Sequence, residues 1–298
     1  MVDLDREWLA RQYAFDFLER IGARDEPIAR TTLEAGFMFQ GVRIALMSQR
    51  GIWKPRSLEL PLSITTSPKD PYGDTVADDG FLHYRYFGKD PLHPDNVGLR
   101  RARDLGIPVV YLHGLEPGWY QAAWPAVVHH DDPGALTFTV ALDDPTAIRH
   151  DLSEPAAEEV ARAYASTQAL RRLHQAKFRT LVLNAYSETC AICRLRGFPD
   201  LLDAAHIQGD AAQGSARVSN GLALCKIHHA AFDRNVLGIR PDYVIEINRR
   251  VLDAVDGPML RHGLQERHGE RIHHPSSSTK RPDPSLLEAR YEAFRDAG

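Results

Sequence analysis

Residues 186–239 read YSETCAICRLRGFPDLLDAAHIQGDAAQGSARVSNGLALCKIHHAAFDRNVLGI, and they carry the strongest signal in the sequence. The stretch contains two short pairs of metal-ligating residues with 31 residues between them, Cys190-x-x-Cys193 and Cys225-x-x-His228. Each pair has the spacing of a tight turn, and two such pairs supply the four ligands of a tetrahedral structural zinc site. The spacing therefore predicts a Zn²⁺ ion that stabilises a small subdomain with little core of its own.

Three further polar residues stand between and beside these ligands. His206 lies near the end of the apolar run LLDAAHI, which has the pattern of a strand. Asn220 follows in the turn VSNG, and His229 opens the helical run HAAFDRN. This order of His, Asn and His across strand, turn and helix, together with LDAAHI, SNGLALC, HH and FD, resembles the HNH endonuclease family over residues 171–245. The resemblance implies a zinc-containing ββα-metal fold and a metal-dependent DNA endonuclease.

The resemblance gives each of these residues a chemical role. Cleavage of a phosphodiester requires a water molecule to lose a proton, and a neutral imidazole is a suitable general base. The family likeness assigns that role to His206. It implies that His229 binds a divalent ion, Mg²⁺ or Mn²⁺, that neutralises the charge developing on the phosphate and the leaving oxygen. Asn220 is implied to hold the loop and orient His206 rather than to touch the substrate.

The sequence departs from the family at the position before the general base, where many members have an acidic metal ligand. That position is Ala205 here. Asp203 shares the strand face of Ala205 and could reach the same region from two residues away. Asp233 is the other candidate, because it lies one helical turn after His229. We favour Asp203 as the acidic ligand, with Asp233 as its substitute.

The composition is typical of a globular protein, and the length of 298 residues suggests two domains. The three cysteines lie within one short stretch, which argues against a disulfide framework and favours a reducing, cytoplasmic location. We expect no membrane partner, because no apolar stretch approaches the roughly 18 residues of a membrane span and no signal-peptide core is visible. The net charge is −4, but residues 171–250 carry 12 Lys and Arg against 7 Asp and Glu. That local excess suits phosphate contact.

The pattern of apolar residues predicts an α+β chain. An opening helix is indicated by apolar residues in i, i+4 steps at Leu9, Tyr13, Phe17 and Ile21. Runs such as FMFQGVRIAL, FLHYRYF, IPVVYLHG and ALTFTVAL predict a mostly β domain with one helix near Asn96–Leu105. Near the C-terminus, RHGERIHHPSSSTKRPDP is expected to be an exposed loop before a helix, SLLEARYEAF, that docks on a domain. The predicted segments are a first domain at 1–150, a helical connector at 151–186, a nuclease domain at 187–251 and a C-terminal loop and helix at 252–298.

The first domain carries a second, shorter set of motifs. DDGFLHYRYFG, then Asn96 at the start of a short helix, then IPVVYLH, resembles the SRA domain, a PUA-like β-barrel that reads modified cytosine flipped from the duplex. A flipped base needs aromatic faces on which to stack and a polar group that reads its edge. The resemblance implies Tyr72 and Tyr86 as stacking partners and Asp74 as a hydrogen-bonding partner, with Trp53 in the same base pocket. In the alternative interpretation the aromatics belong to the core and Asp74 to a turn.

A base-reading β domain joined by helices to an HNH nuclease resembles the plan of type IV, modification-dependent restriction endonucleases. This plan implies double-stranded DNA with methyl- or hydroxymethylcytosine as the partner. Double-strand cleavage needs two active sites, so a homodimer is expected. Two alternatives stay open. One is an HNH nuclease that reads unmodified sequence or another mark, such as phosphorothioate, and the other is a non-catalytic, zinc-containing DNA-binding protein.

Overall fold

The computed structural model describes residues 2–68, 80–144, 155–209 and 217–297. It contains both helices and strands, which confirms the predicted α+β class. The chain divides into two compact units, Met1–Lys177 and Phe178–Gly298, and each unit has buried apolar clusters of its own. Among the helices described, none combines the length and the apolar character that a membrane span requires.

A seven-stranded mixed sheet forms the centre of the first unit. Each apolar run that was predicted to form a strand contains one or two strands in the structure. The strands of this unit, in chain order, are β1 (Ile28–Ala29), β2 (Phe37–Phe39), β3 (Val42–Ile44), β4 (Ile52–Trp53), β5 (Ser63–Thr66), β6 (Leu82–Arg85), β7 (Val109–Glu116), β8 (Trp119–Asp132) and β9 (Thr137–Leu142). Strands β2 and β3 form a separate hairpin. The sheet has the order β4-β5-β7-β8-β9-β6, with β1 added to β8.

The long strand β8 connects the parts of this sheet. It pairs in antiparallel fashion with β7, β9 and β1, whereas β5 and β7 run parallel. The predicted helix is present as α3 (Pro94–Asp104), which packs against β8. Asn96 is buried in its first turn, where its side chain accepts from the Phe87 N–H at 2.8 Å and donates to the Phe87 carbonyl at 3.1 Å. This clamp fixes the chain where it leaves β6.

The opening helix is confirmed as α1 (Leu4–Arg20), but the apolar residues that predicted it do not form its buried face. Tyr13, for example, is 47% exposed. The fully buried Arg11 instead pairs with Glu7 at 2.7 Å and donates to the Pro108 carbonyl at 2.9 Å. A buried guanidinium is tolerated when its donors are satisfied in this way. The buried residues of the helix are Glu7, Ala10, Arg11, Ala14 and Leu18.

The helical stretch predicted between the two halves is present as α4 (Pro155–Ala185). Leu170 and Leu173 of this helix belong to a buried cluster of the first unit. Further along, Val182 and Leu183 belong to the buried cluster of the second unit. The division between the two compact units therefore falls inside this one helix.

The second unit is built from short elements around one buried cluster. The predicted strand LLDAAHI and the helix that carries His229 are both confirmed. The elements, in chain order, are β10 (Leu202–His206), β11 (Gly221–Cys225), α5 (Lys226–Asp233), β12 (Leu237–Ile239), β13 (Ile245–Ile247), α6 (Arg249–Leu252), α7 (Pro258–Gly263) and α8 (Pro284–Asp296). Strands β10 and β11 form an antiparallel hairpin, and β12 and β13 form another.

The polar stretch at residues 267–284 is more firmly anchored than its composition suggested. Ile272 is buried in the core of the second unit. The His273 N–H donates to the Ala191 carbonyl at 2.7 Å, and the Asp283 N–H donates to the Ser219 carbonyl at 2.9 Å. The expectation of an exposed loop was wrong for these positions, because apolar burial and backbone hydrogen bonds tie an otherwise polar segment to the unit.

The C-terminal helix docks as predicted, and its partner is the hairpin of β12 and β13. Leu287 and Phe294 are its buried residues. The ring of Phe294 lies over Gly238 in β12, where an added Cβ would come within 2.5 Å of the ring. The absence of a side chain at Gly238 therefore allows this close approach of helix to strand.

Candidate active site and metal centre

The two predicted ligand pairs lie at two turns of the second unit. Cys190 and Cys193 flank a tight turn that is closed by hydrogen bonds from the Cys190 N–H to the Leu195 carbonyl and from the Arg194 N–H to the Cys190 carbonyl. Cys225 ends β11 and caps α5, which places His228 in the first turn of that helix. The Cys225 N–H points at the Cys190 sulfur, 3.3 Å away, which joins the two turns.

The four predicted ligand atoms converge on one point. The three Sγ atoms and a ring nitrogen of His228 all lie within 4.8 Å of one another, the only such group in the part of the chain that is described. The Cys193 and Cys225 sulfurs are 4.0 Å apart, and His228 Nδ1 lies 3.6 Å from Cys190 Sγ and 3.1 Å from Cys225 Sγ. A tetrahedral zinc ion would place neighbouring donors about 3.5–3.8 Å apart. The cluster therefore has the size and chemistry of a Cys3His metal site.

The ring nitrogen of His228 that is not near the sulfurs, Nε2, also has a hydrogen-bonding partner. His228 Nε2 lies 2.7 Å from the Gly263 carbonyl, which directs Nδ1 toward the sulfurs. Outer hydrogen bonds of this kind fix the tautomer of a metal-binding imidazole. Burial lowers the pKa of His228, but the contacts with the sulfurs of Cys190 and Cys225 outweigh burial and raise it to about 10. Metal binding at Nδ1 therefore competes with a proton.

The next residue of helix α5, His229, belongs to a second cluster, which also contains Asp203 and Lys226. His229 Nδ1 lies 3.1 Å from Asp203 Oδ2 of β10, and the other oxygen of Asp203 lies 2.5 Å from Lys226 Nζ. Burial raises the pKa of the Asp203 carboxyl, but hydrogen bonds from Lys226 and His229 outweigh burial and hold it below the ordinary value. The cluster thus contains a carboxylate beside an imidazole, a donor set that suits a divalent ion.

The two candidate carboxylates lie at opposite edges of the His229 ring. Asp203 contacts Nδ1, whereas Asp233 Oδ2 lies 3.4 Å from Nε2. An ion bound through one ring nitrogen therefore has one of these carboxylates beside it and not both. The side chain of Asp203 is 23% exposed and that of Asp233 is 60% exposed, so Asp203 is the better-held group.

His206 lies at the end of β10, three residues after Asp203 and opposite Gly221 of β11. Its ring stacks on the ring of Phe178, with centroids 3.8 Å apart and planes 8° apart. Asn220 is buried in the turn that precedes β11. Its amide accepts from the Gln208 N–H at 2.9 Å and donates to the Gln208 carbonyl at 3.0 Å, which holds the backbone two residues after His206.

Two residues beside these clusters were not singled out by the sequence analysis. Phe178 belongs to α4, far from the ligand motifs in sequence, and no local pattern links it to His206. Lys226 stands between Cys225 and the two histidines, where it reads as an ordinary exposed lysine until its contact with Asp203 is known. For each residue, the contact with its partner in the site is a tertiary one.

The base-pocket residues predicted in the first unit are described only in part. Tyr72 and Asp74 lie outside the described residues. Trp53 ends β4 and donates its indole N–H to the Ala45 carbonyl at 2.9 Å. Tyr86 is 6% exposed, stacks on Phe138 with centroids 4.6 Å apart, and its hydroxyl contacts Asp131 and Arg100. Tyr86 therefore has the contacts of a core residue, and its part in a pocket stays a prediction.

The segment that holds both clusters matches a protein-family model. Residues 190–240 match the family described as HNH endonuclease, and this range includes both metal-ligand pairs, the β10–β11 hairpin and α5. The chain carries an HNH endonuclease domain. The protein is therefore a nuclease that hydrolyses phosphodiester bonds.

Two solved structures match most of the length of this chain, with low sequence identity and low TM-scores. One is a "Modification dependent TagI restriction endonuclease", 17% identical with a TM-score of 0.27, and the match covers 81% of this chain and 84% of that chain. The other is a type IV phosphorothioation-dependent restriction endonuclease, ScoMcrA, 15% identical with a TM-score of 0.25 and 86% of this chain covered. The chain spans 56% of the length of ScoMcrA. None of the curated proteins matches the chain.

Proposed function

We propose that this protein is a modification-dependent restriction endonuclease of type IV. In this proposal the second unit hydrolyses phosphodiester bonds, and the first unit, a PUA/SRA-like β-barrel domain, selects DNA that carries methyl- or hydroxymethylcytosine. The observation that carries the catalytic half is the contact between Asp203 and His229 inside the segment that matches HNH endonucleases. The recognition half is supported by the SRA-like motifs, which fall on β6, α3 and β7.

His206 is the general base in this mechanism. It takes a proton from the attacking water at a ring nitrogen, so its imidazole must be held in one orientation. Two observations support that role. The parallel ring of Phe178 restricts tilting of the imidazole, and Asn220 fixes the loop that follows through its two hydrogen bonds with Gln208. Asn220 acts through this loop and does not touch the substrate.

The two donor sets suit two different ions. Carboxylate oxygen and imidazole nitrogen, as in Asp203 and His229, are ligands that Mg²⁺ and Mn²⁺ accept, whereas a Cys3His set suits Zn²⁺. Asp203 and His229 would hold the catalytic ion, with Asp233 as the substitute. When bound, this ion supplies positive charge that neutralises the phosphate and the leaving oxygen. The zinc site is structural, because its four protein ligands leave no open position.

Recognition in the first unit is assigned to a base pocket that contains Tyr72, Asp74, Tyr86 and Trp53. Aromatic rings in such a pocket stack on the flipped base, and the carboxylate accepts from its donor edge. A stacking role for Tyr86 requires one ring face to be open to the base, since Phe138 covers the other. Trp53 is only partly buried, which leaves its ring more accessible than that of Tyr86.

The partner is double-stranded DNA, and a homodimer is the form that we propose for double-strand cleavage. An HNH site contacts the backbone and reads little sequence, so selection has to come from another part of the chain. Each active site cuts one strand. Two copies of the chain, paired directly or on the DNA, would therefore be needed to cut both.

The experiment that tests this proposal compares one plasmid prepared in three forms: unmodified, with 5-methylcytosine, and with 5-hydroxymethylcytosine. Each form is incubated with the full chain and Mg²⁺ or Mn²⁺, and the products are separated as supercoiled, nicked and linear DNA. His206→Ala is the inactive variant, and we expect its rate to fall by about 100-fold or more. His130→Ala is the matched control, because His130 is an exposed histidine of β8 in the first unit.

Selective cutting of a modified plasmid supports both halves of the proposal. Equal cutting of all three forms would keep the nuclease and reject the cytosine mark, which leaves a reader of unmodified sequence or of phosphorothioate. DNA binding without cutting under any metal would favour a non-catalytic, zinc-containing DNA-binding protein. Activity that persists in His206→Ala would reject His206 as the base.

A further inference from the structure

Lys226 is the first residue of α5, and its ammonium group lies inside the cluster that holds Asp203. Its Nζ is 2.5 Å from Asp203 Oδ1, while Oδ2 of the same carboxylate faces His229. The side chain of Lys226 is 57% exposed, so it has room to move toward solvent. Asp203 therefore shares its charge between a mobile cation and the imidazole that is proposed to bind metal.

The position of Lys226 is unfavourable for the helix itself. The amino end of a helix carries partial positive charge, and a lysine in the first turn is repelled by it. Cys225, the residue at the cap, accepts no capping hydrogen bond from a backbone N–H of the first turn, so its side chain does not offset this repulsion. The compensating interaction for Lys226 is its ion pair with Asp203.

A divalent ion on Asp203 and His229 would lie within a few ångströms of the Lys226 ammonium group. Two cations at that separation repel each other, and the repulsion is greater for a divalent ion than for a monovalent one. Ion binding at Asp203 therefore weakens the interaction of its carboxylate with Lys226 and favours release of the lysine.

We propose that Lys226 is a placeholder cation that occupies Asp203 until a divalent metal ion replaces it. This inference rests on the proposed function, in which Asp203 and His229 hold the catalytic ion. Lys226 holds the carboxylate in the orientation that faces His229 in the metal-free protein. It leaves when the ion binds, so Lys226 is a positioning residue whose presence lowers the affinity of the site for metal.

The test measures metal affinity directly, without DNA and without cleavage. Mn²⁺ is titrated into the full-length, zinc-loaded protein, and free Mn²⁺ is followed by its electron paramagnetic resonance signal. Lys226→Met is expected to bind Mn²⁺ about fivefold more tightly than the parent protein, the size of effect that an exposed ion pair can exert. Lys226→Arg keeps the charge and should restore affinity toward the parent value.

Two further variants make the result specific. Lys280→Met removes one positive charge from an exposed position of the same unit, and it should bind Mn²⁺ like the parent protein. Asp203→Asn should weaken Mn²⁺ binding strongly. Unchanged or weaker binding in Lys226→Met would overturn the placeholder role while leaving the proposed nuclease mechanism intact. Unchanged binding in Asp203→Asn would overturn both the placeholder role and the proposed location of the ion.

Discussion

The two nitrogens of His229 divide the neighbouring carboxylates between them. Asp203 lies at Nδ1 and Asp233 at Nε2, so the choice of acidic ligand is also a choice of ring nitrogen. Ligands bind metal in their deprotonated forms, and hydrogen bonds from Lys226 and His229 hold the pKa of the Asp203 carboxyl below its ordinary value despite burial. Asp203, the proposed metal ligand, lies three residues before His206, the proposed base, in the same strand.

We therefore expect Asp203→Asn to reduce Mg²⁺-dependent plasmid nicking by about 100-fold or more, because the variant removes a charged metal ligand. Asp233→Asn should retain a rate within about threefold of the parent, since loss of an exposed contact costs little. Asp242→Asn, at an exposed carboxylate paired with Arg240, is the matched control. Rates are measured across a Mg²⁺ titration. The reverse order of effects would move the ion to Nε2.

At the scale of elements, the site depends on the fit between the β10–β11 hairpin and the end of α4. Gly221, opposite His206 in the hairpin, allows this approach. A Cβ added there would lie 2.4 Å from Val182 Cγ2 and 2.9 Å from Phe178 Cζ. Because Phe178 also stacks on His206, any movement of this contact is passed to the imidazole.

Gly221→Ala is expected to destabilise the second unit by about 1–3 kcal/mol, because the core around Phe178 and Val182 must shift to admit one methyl group. Cleavage should fall as well, at temperatures where the unit is still folded. Gly257→Ala is the control, since a Cβ there meets nothing within 4 Å. Calorimetry and plasmid nicking on both variants provide the comparison. Unchanged stability and rate in Gly221→Ala would show that the packing is less tight than the distances indicate.

Features that depend on residues close together in the sequence could be predicted, whereas contacts between distant residues could not. In the second unit, β10, α5 and α8 follow from local patterns, and the four residues of the Cys3His cluster follow from spacing within two short turns. The stacking of Phe178 on His206 and the pairing of Lys226 with Asp203 join residues more than twenty positions apart, so no local pattern reveals them. The buried face of α1 could not be predicted from the spacing of apolar residues, because it includes Arg11, whose charge is paired with Glu7.

At the scale of the whole molecule, each unit has buried apolar clusters of its own. Among the described residues, the cluster of the second unit begins at Phe178 and those of the first unit end at Leu173. The Cys3His cluster belongs to the second core, where Cys190 and Cys225 are buried members. Metal binding should therefore stabilise the second unit specifically.

Calorimetry of the full chain is expected to show two unfolding transitions, and only one of them should depend on zinc. Removal of zinc with a strong chelator, or the substitution Cys190→Ser, should lower that transition or abolish it, because the metal joins the turn at Cys190 to the start of α5. The other transition, that of the first unit, should keep its temperature. Elemental analysis of the parent protein should find one zinc per chain.

Thr189→Ser is the matched control for Cys190→Ser, because it changes the adjacent, partly buried residue and keeps the hydroxyl that bonds the Ser187 carbonyl. Its two transitions should match those of the parent protein. If chelation moved both transitions together, the units would unfold as one and the division inside α4 would have no energetic meaning. If zinc were absent and Cys190→Ser unfolded normally, the three cysteines would be ordinary core residues. A selective loss of one transition would instead link the CxxC and CxxH pairs to the stability of the nuclease unit alone.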